Sequence, residues 1–238
     1  MVGASTFQQD RGDVRRFRRS NRLAYIVREL PLRLERLSGD LHCPADGRVL
    51  DYGCADVPYR RLFPASVDYL AADLPGNPDA TVEIHPDGTV PVAEGAVDVV
   101  LSTQVLEHVA DPALYIQECL RVLRPGGRML LSTHGFMVYH PDPVDLWRWT
   151  CEGLRRAVEG AGFRIVRFEG IMGLPATGLQ FLQDGLLSRV PSRARPAFIA
   201  GFQTMIAFAD RREPAERRDQ NALVFALVAE KPGASPGP

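Results

Sequence analysis

The chain has 238 residues, 45% of them hydrophobic, and a formal net charge of −1 at pH 7. This composition suits one α/β domain with additions and excludes a globally disordered chain. The balanced charge gives no overall attraction to nucleic acid or to an anionic membrane. Four cysteines lie far apart without a C-x-x-C pair, so a zinc or redox motif is not expected.

The first part of the chain is basic and helical in pattern. Residues 11–37 hold nine arginines against three acids, and Pro31 is expected to kink or divide a helix there. Two interpretations stay open: a solvated helix packed on the main domain, and a lid or docking surface for an anionic substrate. The N-terminal residues have no apolar h-region that would suggest export, and no apolar run approaches the ~18 residues that cross a bilayer. We therefore expect a cytoplasmic protein with no membrane partner.

A buried strand is predicted over residues 48–52, and it stops at a turn made by Gly53. Glycine allows a sharp turn and a close approach of the backbone to a ligand. Asp51 lies at the carboxyl end of the strand, where open α/β sheets bind their ligands. Gly53 is the only glycine in residues 51–60, which excludes the three-glycine fingerprint of dinucleotide-binding proteins. An ordinary tight turn between a strand and a helix is the alternative.

A short helix over residues 58–63 and a second strand over residues 67–73 follow. The strand ends in Asp73, and a carboxylate at that tip can accept hydrogen bonds from both hydroxyls of a ribose. A carboxylate that only stabilises a turn is the alternative. After a loop rich in Pro, Gly and Asn, a third, short strand is predicted over residues 81–85.

The fourth strand is the clearest in the sequence. Residues 97–103 read Val-Asp-Val-Val-Leu-Ser-Thr, which is typical of a buried strand. A helix over residues 112–123 follows, with Asp111 as its cap and Pro112 in its first turn. Arg-Pro-Gly-Gly then ends the helix and leads into a fifth strand over residues 128–132.

Two blocks of this sequence resemble class I methyltransferases that use S-adenosylmethionine (SAM). The first is Leu-Asp-Tyr-Gly-Cys, and the second pairs Val-Leu-Glu-His-Val with Arg-Val-Leu-Arg-Pro-Gly-Gly. The resemblance covers residues 48–169. It implies a Rossmann-like α/β fold with a mostly parallel seven-stranded sheet, helices on both faces, and SAM as the cofactor. Ala55 departs from the glycine that is usual at the third position of the glycine loop.

The resemblance implies a cofactor site at the glycine loop, which packs on the methionine half of the cofactor. Asp87 is the candidate for contact with the adenine amino group, although Asp before Gly is also a common turn pair. Glu107 and His108 are expected to organise the loop after the fourth strand rather than to take part in the chemistry. The predicted cofactor-binding residues are Asp51, Gly53, Cys54, Ala55, Tyr59, Asp73, Leu74, Asp87 and Gln104.

The loop after the fifth strand, residues 132–150, is dense in His, Asp, Tyr and Trp. Methylation of a hydroxyl requires a proton acceptor, and a histidine with a pKa near neutrality is the usual base. His140 and His134 are both candidates, and Asp145 would orient the histidine or bind the substrate. No metal is predicted, because the possible ligands lack a recognisable spacing. Three aromatic side chains could form a wall for a ring: Tyr139, Trp147 and Trp149.

A helix over residues 151–162 and a sixth strand over residues 163–170 continue the α/β pattern. The next segment does not follow it. Two helices, residues 178–190 and 195–209, carry more apolar residues than a solvated hairpin needs, so they must bury against the core, a lid or another subunit. We favour a substrate cap that also forms a dimer surface. A last strand is predicted over residues 221–230.

These elements suggest two units: an N-terminal helical lid, residues 1–40, and a SAM-binding methyltransferase domain, residues 41–238, with a helical cap insertion at 171–216. The resemblance favours the lid interpretation. The expected function is methyl transfer to a small-molecule acceptor, at a hydroxyl of a sugar, glycan precursor or natural product, by a homodimer. An RNA methyltransferase and a non-catalytic SAM-binding protein are the alternatives. The acidic balance outside the first helix argues against a nucleic-acid partner.

Overall fold

The computed structural model describes residues 21–141 and 144–233, and seven strands of this part of the chain form one sheet. In chain order the strands are β1 (Arg48–Tyr52), β2 (Asp68–Asp73), β3 (Val82–Glu83), β4 (Val97–Thr103), β5 (Leu123–His134), β6 (Arg164–Gly173) and β7 (Ala222–Glu230). Their order across the sheet is β3-β2-β1-β4-β5-β7-β6. β7 runs antiparallel to the other six strands, which are parallel to one another. The predicted Rossmann-like, mostly parallel seven-stranded sheet is confirmed.

Helices cover both faces of the sheet. Those in the described ranges are α1 (Ala24–Ser38), α2 (Pro112–Val122), α3 (Cys151–Gly160), α4 (Leu174–Leu187), α5 (Arg195–Arg212) and α6 (Ala215–Gln220). Residues of α2 and α3 join one hydrophobic core, and residues of α1, α4 and α5 join the other. Across these ranges no helix combines the length and apolarity that crossing a membrane would require.

The central strands are buried on both faces. Val49 of β1 packs in the core on the α1 side, whereas its neighbour Leu50 packs in the core on the α2 side. Burial on both faces explains the continuous apolar runs of β4 and β5, as expected for parallel strands between two helical layers. The carboxyl ends of β1, β2, β4 and β5 meet at one edge of the sheet, which is where open α/β sheets bind ligands.

Of the two outcomes predicted for Pro31, a kink or a division of the first helix, the division does not occur. α1 runs without a break from Ala24 to Ser38, with Pro31 inside it. The proline side chain is buried, and its packing offsets the backbone hydrogen bond that proline cannot donate. The part of the predicted helix that precedes residue 21 lies outside the described residues.

The Arg-Pro-Gly-Gly segment does not separate α2 from the next strand as predicted. β5 begins at Leu123, directly after α2, and its register with β4 shifts before Arg128. The segment is a bulge inside the strand, where Gly126 takes a φ of 77°. At its other end β5 continues to His134, so this histidine lies on a strand and not in the following loop.

Candidate functional site

The turn after β1 is built around Gly53. The N–H groups of Gly53 and Cys54 both donate to the carbonyl oxygen of Ala72 on β2, at 2.8 and 3.0 Å. Gly53 has a φ of 87°, and a Cβ added there would stand 2.5 Å from Cγ2 of Val105, in the turn after β4. A side chain at position 53 would therefore push apart two loops at the carboxyl edge.

Asp73 closes this turn from the tip of β2. Its Oδ2 accepts hydrogen bonds from the N–H of Ala55 at 2.9 Å and from the side-chain amide of Asn77 at 2.6 Å, and its Oδ1 accepts from the N–H of Leu74 at 2.8 Å. Ala55 has a φ of 47°, in the left-handed region that favours glycine. Sequence reasoning missed Asn77, because its only local signal is a place in a polar loop after Asp73.

Asp51 is almost fully buried at the end of β1, with 1% of its surface exposed. Its Oδ2 accepts a hydrogen bond from the hydroxyl of Tyr69 at 2.6 Å, whereas its Oδ1 has no hydrogen-bond partner among the described residues. Burial raises the pKa of the Asp51 carboxyl to about 7, against the opposing effect of the Tyr69 hydroxyl. A buried acceptor without a donor fits a ligand that supplies one.

An apolar cleft separates α1 from these loops. Gln104 forms part of its wall, with a φ of 58° and an N–H that donates to the carbonyl oxygen of Ser132 at 2.8 Å. Of the described residues, none from α4 or α5 lines the cleft, so the substrate cap stays a prediction. Besides Gln104, the cleft is lined by Ile26, Val27, Leu30, Pro31, Pro58, Tyr59, Arg61, Met137 and Val224.

Cys54 and Leu74, two further predicted cofactor residues, lie at the glycine turn, whereas Asp87 belongs to a different turn. Cys54 is buried, which raises the pKa of its thiol to about 12, and Leu74 is exposed next to Asp73. Asp87 lies after β3, where its Oδ1 accepts from the N–H and the hydroxyl of Thr89, at 2.9 and 2.7 Å. These bonds lower the pKa of Asp87. The carboxylate is engaged in its own turn, and its contact with adenine stays a prediction.

Three histidines meet at the end of β5. The ring centroid of His108 lies 6.3 Å from that of His134 and 5.6 Å from that of His140. The centroids of His134 and His140 are 5.7 Å apart. His134 is fully buried, and neither ring nitrogen has a hydrogen-bond partner among the described residues, although Nε2 lies 3.3 Å from Oε1 of Glu107. Burial, with the charge of Arg148, holds the pKa of His134 well below its usual range. The His134 ring is therefore neutral near pH 7.

Glu107 ties the histidine loop to the turn after β4. Its backbone carbonyl accepts from the N–H groups of Leu146 and Trp147 at 2.9 and 3.2 Å, and its Oε2 accepts from the hydroxyl of Thr133 at 2.8 Å. These contacts are those of a residue that organises the loop, as the sequence indicated. Sequence reasoning missed that His108 also joins the histidine cluster, because only the fold brings it next to the end of β5.

Asp145 holds the backbone of the histidine loop. Its Oδ2 accepts from the N–H of His140 at 2.7 Å, and its two oxygens accept from the guanidinium of Arg148 at 2.6 and 2.5 Å. Burial acts in the opposite direction, but these hydrogen bonds lower the pKa of Asp145. Asp145 thus binds the main chain at His140, and its role in orienting the histidine or binding the substrate stays a prediction.

The predicted aromatic wall is assembled only in part. Trp147 and Trp149 lie with their ring centroids 6.4 Å apart, whereas Tyr139 is 75% exposed. Within residues 21–141 and 144–233, no three His, Cys, Asp or Glu side chains are grouped so that they could hold a metal ion. Asp142 and Pro143 of the same loop lie outside the described residues.

A profile of a methyltransferase domain matches residues 17–167, more than half of the chain. The chain belongs to the class I SAM-dependent methyltransferase family. A probable SAM-dependent methyltransferase from Mycolicibacterium smegmatis is 37% identical over 82 residues, which are 32% of each chain. A ubiquinone biosynthesis O-methyltransferase from Cereibacter sphaeroides is 32% identical over 131 residues, 47% of this chain and 51% of that protein. The chain spans 32% to 64% of the length of these and similar curated relatives.

A solved methyltransferase shares the fold. Geranyl diphosphate C-methyltransferase from Streptomyces coelicolor, in complex with S-adenosyl-L-homocysteine, matches with a TM-score of 0.57 at 14% identity, over 88% of this chain and 79% of that one. SAM is the cofactor of the family, and three features of this chain fit it. They are the turn without a side chain at Gly53, the carboxylate of Asp73 at the tip of β2, and the buried Oδ1 of Asp51 that lacks a donor.

We expect the substitution Gly53→Ala to lower both stability and SAM affinity. The new Cβ would meet Val105 at 2.5 Å on a backbone with a φ of 87°, so the turn would have to shift. The expected loss is about 1–3 kcal/mol of unfolding free energy. SAM affinity should fall at least about tenfold, because the backbone would no longer be placed to approach the cofactor. Urea unfolding and calorimetric titration with SAM measure the two effects.

Gly95→Ala is the matched control. Gly95 also has a positive φ, 66°, but it precedes β4 at the opposite edge of the sheet, and its added Cβ would come no closer than 3.9 Å to Arg124. It should lose about 1–2 kcal/mol of stability and keep its SAM affinity. Unchanged SAM affinity in the Gly53 variant would contradict the assignment of this turn to the cofactor.

The buried Asp51 carboxyl should make folding stability depend on pH. Its pKa is raised from 3.8 to about 7. Between these values the folded protein holds a proton that the unfolded chain has released, so the free energy of unfolding falls as pH rises through this window. At about 1.4 kcal/mol per pKa unit, the full loss is at most about 4 kcal/mol.

Urea unfolding of the wild type and of Asp51→Asn across this pH range checks the effect. The asparagine cannot titrate, and the other carboxylates are common to both proteins. The wild type should therefore lose stability relative to the variant as pH rises, and the difference should level off above about pH 7. A difference that stays constant with pH would contradict the raised pKa.

Proposed function

We propose that the protein transfers the methyl group of SAM to a hydroxyl of a small-molecule acceptor, such as a sugar, a glycan precursor or a natural product. The observation that carries this proposal is the histidine cluster at the end of β5, beside the turn that begins at Gln104. A hydroxyl must lose its proton when it is methylated, and a neutral imidazole can accept that proton. The similarity to ubiquinone biosynthesis O-methyltransferases supports oxygen as the acceptor atom.

The glycine turn and the tips of β1 and β2 would hold the cofactor. SAM supplies a methyl group on a positively charged sulfur, which makes the methyl an electrophile. The Oδ1 of Asp51 would accept from the cofactor's ammonium group, and Gln104 would line the pocket at the methyl. Asp73 offers about four acceptor positions, of which the N–H groups of Ala55 and Leu74 and the amide of Asn77 already take three. Two ribose hydroxyls would therefore have to displace the Asn77 amide.

His140 is the preferred base and His134 the second candidate. His140 is half-buried in the loop that Asp145 holds, whereas His134 is fully buried behind it, with the two ring centroids 5.7 Å apart. A base must reach the acceptor oxygen, and burial leaves His134 less able to do so. Asp145 would act as a positioning residue, because its Oδ2 accepts from the main-chain N–H of His140.

The apolar cleft between α1 and Gln104 would receive the acceptor. Its lining by Ile26, Leu30 and Met137 favours an acceptor with an apolar part attached to the reacting hydroxyl. α1 covers this cleft, so residues 1–40 would act as a lid over the site, with residues 41–238 as the methyltransferase domain. The homodimer that the sequence predicts stays a prediction.

The ribose assignment predicts different effects for Asp73→Ala and Asn77→Ala. Asp73→Ala would remove charge-assisted hydrogen bonds of about 1.5–3 kcal/mol each, so SAM affinity should fall at least about tenfold. Asn77→Ala would remove the amide that the ribose must displace and the side-chain hydrogen bonds to the carbonyl of Ala55 and the N–H of Asp79, so SAM affinity should fall clearly less than in Asp73→Ala. Calorimetric titration measures both. Equal weakening by the two substitutions would indicate that Asp73 acts by holding the loop and not by binding ribose.

The base assignment predicts that His140→Ala lowers kcat by about 10²–10⁴-fold and leaves SAM affinity close to wild type. The assay follows transfer of the radiolabelled methyl group from SAM to a panel of hydroxyl compounds. The wild-type rate should fall on the acid side as the imidazole protonates, and the variant should lose that limb. His134→Ala, run in parallel, separates the two candidates.

His42→Ala is the control for the histidine substitutions, because His42 lies before β1, at the amino edge of the sheet. It should keep both kcat and the acid limb. Near-normal turnover in both the His140 and His134 variants would mean that neither is the base, and oxygen would lose its support as the acceptor atom. Absence of methyl transfer to any compound, with SAM binding intact, would favour the non-catalytic alternative.

A further inference from the structure

The hairpin of α4 and α5 buries polar side chains beside apolar ones and leaves several large apolar side chains exposed, which is unusual for a surface helix. Its buried side chains include those of Thr177, Gln180, Gln183, Gln203 and Asp210. The side chains of its outer face are 39% to 61% exposed, and they are those of Leu174, Phe181, Leu182, Met205 and Phe208. Large apolar side chains exposed together on two packed helices mark a surface that can meet an apolar partner.

Three buried glutamines fix the hairpin to the start of α1. The side-chain amides of Gln180, Gln183 and Gln203 all donate to one acceptor: the distances to the carbonyl oxygen of Arg22 are 3.0, 2.9 and 2.8 Å. The Oε1 of Gln203 accepts from the N–H of Tyr25 at 2.7 Å. Turning the hairpin to bury its apolar face would break these buried hydrogen bonds. The packing of the hairpin therefore enforces the exposure of its outer face.

Positive charge surrounds the outer face. Residues 185–209 contain no Asp or Glu. Arg212 at the end of α5 lies over the ring of Phe208, with its guanidinium carbon 4.7 Å from the centroid, which joins the charged rim to the apolar face. None of the rim arginines pairs with a carboxylate of the described residues. These exposed arginines are Arg189, Arg193, Arg195, Arg211 and Arg212.

The chain that precedes α1 adds further positive charge. Residues 11–20 contain five arginines against one acid. They lead directly to Asn21 and Arg22, and the glutamines hold the Arg22 carbonyl against the hairpin. A basic segment thus precedes α1, whose start the glutamines fix to the hairpin.

We propose that the outer face of the hairpin docks on the surface of an anionic lipid bilayer. The apolar side chains would enter the headgroup region, and the arginines around them would pair with lipid phosphates. A second copy of the chain fits less well, since the same face offers no acidic residue to meet the arginines. Nucleic acid would pair with the arginines but leave the apolar side chains in water. The proposal does not depend on the acceptor or on the base.

Co-sedimentation of the full chain with large unilamellar vesicles tests the proposal. We expect binding to vesicles of phosphatidylcholine mixed with phosphatidylglycerol, and binding at least about tenfold weaker to phosphatidylcholine alone. High salt should weaken the binding to anionic vesicles, because it screens the arginines. Binding that is equally strong to both vesicle types would overturn the role of anionic lipid.

Three sets of substitutions locate the contact. The pair Phe181→Ser and Leu182→Ser on α4, and the pair Met205→Ser and Phe208→Ser on α5, each remove part of the apolar face. The triple substitution of Arg189, Arg193 and Arg195 by Gln removes the positive charge of the segment that joins α4 to α5. Each set should weaken binding to anionic vesicles at least about tenfold. Circular dichroism checks that each variant is folded, and the two serine pairs test the face independently.

Matched controls carry the same chemistry elsewhere. Leu114→Ser changes a leucine that is 58% exposed on α2, and Gln at Arg124, Arg156 and Arg164 removes three exposed arginines from other surfaces. Both controls should bind vesicles like the wild type, and vesicle binding that is unchanged in the hairpin variants would overturn the proposal.

A dimer in sedimentation velocity that the serine pairs convert to a monomer, without vesicle binding, would assign the face to a second copy. Retention on RNA without vesicle binding would assign the arginines to nucleic acid and overturn the proposal as well.

Discussion

The two loops that follow β1 and β4 meet where Gly53 has no side chain. The contact with Val105 leaves no room for a Cβ, so the two loops can change only together. Gln104, one residue before Val105, turns the chain away from β4 with a φ of 58°. Glu107 then reaches Thr133 on β5 and holds the histidine loop through its own carbonyl. The position of the candidate base therefore depends, through a short series of contacts, on the same close approach that shapes the cofactor turn.

The strands that position the site could be predicted from the sequence, whereas several site contacts could not. β1 and β4 were predicted with their exact bounds, because each is an apolar run that ends at a residue with a turn conformation. Local signals failed where packing outweighs them, as at Pro31, which stays inside α1 because its ring is buried. Asn77 and His108 were missed for a different reason: the residues that they meet lie in other loops, and no pattern within one segment records that meeting.

The hairpin of α4 and α5 shows why counting apolar residues did not predict which face is buried. The number of Leu, Phe and Met residues indicated burial, but the face that packs inward is decided by its partner. One partner of the inward face is the carbonyl oxygen of Arg22, which accepts hydrogen bonds from three buried glutamines. Ile199 and Ile206 are buried as well, whereas the larger side chains of Phe181, Leu182, Met205 and Phe208 stay exposed. The net charge of −1 was equally uninformative about this surface, because the acids that balance its arginines lie in other parts of the chain.

Two buried polar groups near the ends of strands link the stability of the fold to its chemistry. Among the described residues, Asp51, one residue before the end of β1, has a carboxyl oxygen without a hydrogen-bond donor, and His134, the last residue of β5, has two ring nitrogens without a hydrogen-bond partner. Burial shifts both groups toward their neutral forms, since it raises the pKa of the carboxyl and lowers that of the imidazole. Each costs the free protein some stability, because a buried polar group without a partner is unfavourable. A ligand that supplies a donor at Asp51 and a hydroxyl within reach of the histidines would recover that cost on binding. Asp51 and His134 are thus two unsatisfied groups that lie where cofactor and acceptor are proposed to meet.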